Sequence, residues 1–114
     1  MESVNKLSRA ETERLALIIS ACSAVNHACS QIIRHGYESA NDNPGNVLMT
    51  NRECFEIKVG ELQYLIDYMV ANKDIDREKV IQAALAKGVR LPFWTHHQKE
   101  SQAVNSEIPY HKVD

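Results

Sequence analysis

Apolar residues recur along this chain at steps of three and four and show no sustained alternation, so the pattern predicts helices and no strands. The first periodic segment opens with Ser8 and Glu11, the Ser-x-x-Glu spacing in which each side chain satisfies the other's free backbone N–H at a helix start. From there Leu15, Ile18, Ile19, Cys22, Val25, Cys29, Ile32 and Ile33 form a stripe that reads as one apolar face of a helix of about seven turns. Gly36, following His35, is the expected C-cap.

Between Tyr37 and Thr50 the turn formers Asn41, Asn43, Pro44, Gly45 and Asn46 predict the main loop. Thr50 and Glu53 repeat the capping spacing, and Phe55, Leu62, Leu65, Ile66, Met69 and Val70 predict a second helix over Asn51–Ala71, interrupted only by Gly60. After a turn over Asn72–Asp76 with aspartate N-caps, Val80, Ile81, Ala84 and Leu85 predict a third helix that Gly88 or Pro92 should stop. Phe93 and Trp94 are expected to pack, and a polar tail follows from Thr95 to Asp114. There is no internal repeat and no low-complexity tract.

The totals add bounds to this all-α picture. With 114 residues, 44% of them hydrophobic and 25% charged, the chain fits one globular domain, read as 1–98 with a flexible tail over 99–114. Three cysteines at irregular spacing make a disulfide frame or a zinc cage a poor expectation, which leaves oligomerisation as the device that completes so small a core. Cys22 and Cys29 lie on the apolar stripe and read as core thiols. A net charge of -2 gives no footprint for duplex nucleic acid or for an anionic membrane. No apolar run is expected to reach the roughly 20 residues of a membrane span, and the N-terminus lacks the order of a secretory signal, so a cytoplasmic protein is expected.

The stretch Gln31-Ile32-Ile33-Arg34-His35-Gly36-Tyr37-Glu38-Ser39, with Asn51-Arg52-Glu53, the segment Phe55 to Leu62, Asp74 to Lys87 and the final His96-His97-Gln98, resembles the short phage and bacterial MazG-like nucleoside-triphosphate pyrophosphohydrolases over about Arg14 to Gln98. The resemblance implies a helical bundle completed by oligomerisation into dimers or tetramers. It also implies two acidic motifs on neighbouring helices whose carboxylates gather Mg²⁺ around a nucleotide's phosphates. Such spacing works because residues three and four apart share a helix face and Mg²⁺ requires hard oxygen ligands. In this chain the first motif falls on Ser20, Ala21 and Ala24, and the second on Lys58 and Glu61. One matched carboxylate cannot build a two-metal site.

The residues at those places have two readings each. Ser20, Ala24 and His27 are either an opened pocket wall or close packing of small side chains. Lys58 either supplies the charge that a metal would bring to a phosphate or is a solvated lysine, with Glu61 its partner one turn on. Arg34, His35, Lys87, Arg90 and His96 lie in segments that would converge on the same cleft, and Tyr37 and Trp94 are candidates for stacking on a base. Adjacent His96 and His97 point apart, so a metal there is not expected.

Three functions compete. The favoured expectation is a catalytically degenerate binder that sequesters a nucleotide or nucleotide-derived signal such as a cyclic nucleotide, without a cofactor. For a phage-encoded chain this would act in the host cytoplasm, as a counter-defence sponge. The second is an active pyrophosphohydrolase whose Mg²⁺ is held by displaced acids, Glu56, Glu61 and Asp67. The third is an assembly or regulatory subunit without a small-molecule ligand.

Overall fold

The fold is described from a computed structural model, over residues 4–40, 49–98 and 101–104. The turn formers Asn41 to Asn46 and most of the tail lie outside the described residues. Among those described there are three helices and no strand: α1 (Arg9–His35), α2 (Asn51–Ala71) and α3 (Arg77–Trp94). The chain divides into two compact units, Met1–Asp74 and Ile75–Asp114.

The helix starts are fixed locally. Ser8 accepts from the Glu11 N–H at 3.1 Å while the Glu11 carboxylate accepts from the Ser8 N–H at 2.7 Å. Thr50 and Glu53 repeat this reciprocal box at 3.1 and 2.9 Å, and the Asp76 carboxylate receives the Lys79 N–H at 3.1 Å. Each side chain satisfies N–H groups that a helix's first turn leaves free. α1 ends where Gly36 adopts φ 89°, a conformation that costs a glycine little and other residues much.

In the first unit α1 and α2 form an antiparallel hairpin pinned at both ends. At one end the Asn51 N–H donates to Ser39 O and the Arg52 N–H to Tyr37 O, both at 2.8 Å, and Ala40 bridges to Thr50. The buried Asn51 amide donates to Gly36 O at 3.1 Å. At the other end the Arg14 guanidinium makes a two-pronged contact with Asp74, at 2.5 and 2.9 Å, the paired geometry that arginine and carboxylate favour. The hydrogen bond from Arg14 holds the Asp74 carboxyl below its usual range against the opposing pull of burial, and the same bond raises Arg14.

The face of α1 that meets α2 carries Ile18, Ala21, Val25, Ala28 and Ile32, with Ala28 buried and the other four half-buried. α2 answers with Phe55, Leu62, Leu65, Ile66 and buried Met69. The expected single stripe on α1 is therefore corrected. Its eight positions span about 140° of the helix at 100° per residue, more than one partner covers. Leu15, Ile19 and Ile33 are exposed at 41%, 68% and 85%, and so is Cys22, with Cys29 only half-buried. The two cysteines are not the core thiols expected.

α1 also corrects the expectation about apolar runs. Its sequence is free of charge from Leu15 to Ile33, and an 18-residue window reaches a mean hydropathy of 1.4. By length and composition it is one helix apolar enough to cross a membrane. Interspersed Ser, Asn, His and Gln disguise this, because they break up the apolar residues without adding charge.

In the second unit α3 runs on through Gly88 and Pro92 to Trp94, past the stops expected there. Proline removes its own N–H, here the donor that would have reached Gly88 O, and its ring crowds that carbonyl, but this close to the end of the helix few further bonds are disturbed. Ile81 is the buried residue of α3, whereas Phe93 and Trp94 are 86% and 75% exposed and not packed as expected.

Candidate functional site

Midway along the hairpin the two helices carry short side chains opposite each other, Ser20, Ala21 and Ala24 on α1 and Gly60 on α2. Helices whose axes are held apart by larger neighbours leave a void where side chains are this small. An open groove of about 700 Å³ results, walled further by Leu17, Ile57, Lys58, Glu61, Tyr64 and Leu65. A Cβ built on Gly60 meets no atom within 4 Å.

The groove thus unites Ser20, Ala21 and Ala24 with Lys58 and Glu61, residues that sequence reasoning placed at one site from two separate helices. Its charged groups are this lysine and this glutamate, and they pair at 3.5 Å with side-chain exposures of 42% and 59%. An ion pair this long and this solvated contributes little, roughly 0–1 kcal/mol or less, and exchanges readily for another partner. The groove offers an ammonium that can turn to an incoming anion, beside a carboxylate that opposes it.

Tyr64 is the residue that sequence reasoning passed over. It is 67% exposed, lies on the groove wall, and stacks on Tyr68 with ring centroids 6.0 Å apart and planes 17° from parallel. Its spacing held the signal: three residues past Glu61, it shares that face of the helix.

Other candidates lie elsewhere. His27 is exposed one turn past Ala24 and stands 3.4 Å from the Gln31 amide. Arg34 and His35 are exposed in the last turn of α1, about 15 Å along the axis from Ala24 at 1.5 Å per residue. Tyr37 is engaged at the pinned end, where the Arg52 guanidinium stacks 4.3 Å from its ring centroid and bonds Glu38 at 2.9 Å. Lys87, Arg90, Trp94 and His96 belong to the second unit and are exposed. The His96 and His97 rings meet edge to face, 6.4 Å apart. Among the described residues no three or more His, Cys, Asp or Glu gather as metal ligands. Glu56 and Asp67 are exposed and do not line the groove.

Compared with protein-family models, with curated proteins and with solved structures, the chain finds no match.

Proposed function

We propose that this is a catalytically degenerate MazG-like protein that captures a nucleotide or nucleotide-derived signal in the α1–α2 groove and does not hydrolyse it. The observation that carries the reading is the convergence of Ser20, Ala21, Ala24, Lys58 and Glu61 on one groove. These are the positions where the resemblance puts a family's metal-binding acids. Loss of those acids removes the need for Mg²⁺, and Lys58 supplies a positive point charge for phosphate in its place. The flat, exposed face of Tyr64 suits a base, and the apolar wall formed by Leu17, Ile57 and Leu65 suits its edges. In this reading the protein works by sequestration in the cytoplasm, as a dimer or tetramer. A phage origin would make the captured molecule a defence signal.

Glu61 separates this reading from the magnesium enzyme with opposite signs. For a metal-free binder the carboxylate repels the ligand's phosphate, so Glu61→Gln tightens binding, while Lys58→Ala abolishes it. For an enzyme Glu61→Gln removes a ligand of the metal and ends turnover. The experiment is calorimetric titration with linear and cyclic nucleotides, with and without Mg²⁺, each mixture then checked by chromatography. Magnesium-dependent pyrophosphate release that Glu61→Gln abolishes would replace the binder with the enzyme, and silence across the whole panel would leave the assembly subunit.

A further inference from the structure

The exposed side of α1 carries a regular pattern of its own. Leu15, Ile19, Cys22, Asn26, Cys29 and Ile33 follow one another at steps of four, three, four, three and four, the heptad spacing of a helix seam that supercoils with a second helix. In that register Ile19, Asn26 and Ile33 take the first core position and Leu15, Cys22 and Cys29 the second. Ile19 and Ile33 are β-branched at the first position with a single asparagine between them, while the second holds leucine once and cysteine twice; β-branched first positions and a lone asparagine favour two parallel strands in one register. All six positions are distinct from those facing α2, and only Cys29 is even half-buried.

We propose that α1 packs through this seam, in parallel and in register, against α1 of a second copy of the chain, so that Asn26 faces Asn26 and Cys22 faces Cys22. The inference rests on the self-association included in the proposed function and deepens it by naming the face, the direction and the facing pairs. Three observations favour a second copy. The seam carries no charge between Leu15 and Ile33, so two identical faces meet without repulsion. Ala16, Ser23 and Ser30, which flank it on one side, are small and allow close approach. The Asn26 side chain makes no hydrogen bond within the described residues, only its carbonyl accepting from Ser30 Oγ at 3.1 Å, whereas two facing asparagines satisfy each other. An antiparallel pairing would set Asn26 against a cysteine and leave its amide without that partner.

The seam rises about 27 Å over its length and is about 10 Å wide, roughly 270 Å² of helix face on each copy. This is just under the scale of a typical largest surface patch and well short of a standard interface, so the dimer should dissociate on dilution through the micromolar range. With axes about 10 Å apart and Cα atoms about 2.3 Å from each axis, facing Cα atoms come within about 5–6 Å, a span that a disulfide bridges.

Two measurements on the 114-residue chain test the proposal. Sedimentation over a concentration series should give a dimer that Ile19→Glu and Ile33→Glu each convert to monomer while helix content by circular dichroism stays that of the native chain. In a Cys29→Ser/Cys54→Ser variant, oxidised glutathione should take two electrons and two protons from the paired Cys22 thiols. It leaves as two molecules of reduced glutathione, and a covalent dimer appears on a non-reducing gel that urea pretreatment suppresses. A monomer at every concentration would overturn both the seam and self-association, without bearing on nucleotide capture by the groove. A dimer indifferent to Ile19→Glu would overturn the seam alone. A dimer lost in Ile19→Glu but not linked through Cys22 would overturn the parallel register, and binding of the native chain to phospholipid vesicles through α1 would assign this face to a bilayer instead.

Discussion

Replacing Gly60 by alanine asks two questions of the groove at once. In a helix interior alanine is favoured over glycine by about 1 kcal/mol, because glycine has more backbone freedom to lose. Realising that gain requires room for a methyl group, and the added Cβ here meets nothing within 4 Å. Gly60→Ala should therefore raise the melting temperature by about 4–8 °C, the shift expected of 1 kcal/mol in a domain of this size. The same methyl group projects into the space a ligand would occupy. Crowding of the order of 1 kcal/mol would weaken nucleotide binding about fivefold. Differential scanning calorimetry and titration on one preparation read both effects. A variant that melts at or below the native temperature would mean that the space opposite Gly60 is filled, and the groove would cease to be a candidate site. One that melts higher yet binds as tightly would move the ligand away from this wall.

Four further outcomes follow from other contacts. Asp74 has its carboxyl held low by Arg14, so that pair's stabilisation is complete above the unfolded aspartate value of about 3.9 and is lost as pH falls through the lower folded value. Arg14, pushed up from an already high value, stays charged throughout this range. Asp74→Asn should accordingly lower the melting temperature at pH 7, with the gap to the native chain narrowing as pH falls below the unfolded aspartate value; a gap that does not change with pH would contradict the pairing. Asn51→Ala removes the hydrogen bond to the carbonyl of exposed Gly36 and should cost about 0.5–1.5 kcal/mol in urea unfolding, whereas an unaltered midpoint would remove Asn51 from the pin. Thr50→Ala, which breaks the second capping box, should cost about 1 kcal/mol and Thr50→Ser much less. The single tryptophan, Trp94, should emit like the free amino acid and be quenched readily by iodide; a shielded spectrum would show that it is covered.

Helix boundaries were legible where chemistry is local. Ser8 with Glu11, Thr50 with Glu53, Asp76 and Gly36 each mark a terminus through hydrogen bonds to residues a few positions away, and those termini stand where the spacing places them. What depends on contacts distant in sequence was not legible. Arg14 and Asp74 lie 60 residues apart, and no pattern in either neighbourhood announces their pairing. Nor could periodicity decide which part of a wide apolar face α2 would cover, since Ile18 and Ile19 look alike until a partner takes one of them. The end of α3 is illegible for a different reason: proline is a stop signal in a helix interior, whereas in the last turn its lost donor and the crowding of one carbonyl disturb little. For the site, it is the resemblance that groups Ser20 with Ala24 and Lys58 with Glu61, and the four line one groove. Helix periodicity could not tell that Tyr37 would be engaged by Arg52 at the pinned end while Tyr64 lines the groove.

The bonds that join Tyr37 and Ser39 to Arg52 and Asn51 close the connection between α1 and α2 at its base. This end of the hairpin is thereby held by bonds between residues on either side of the stretch 41–48. As a general rule, doubling the length of a connection whose base is already closed costs only about 0.6 kcal/mol. An epitope, a fluorophore attachment sequence or a small tethering domain inserted between Ala40 and Thr50 should therefore leave the clasp and the two helices folded as before.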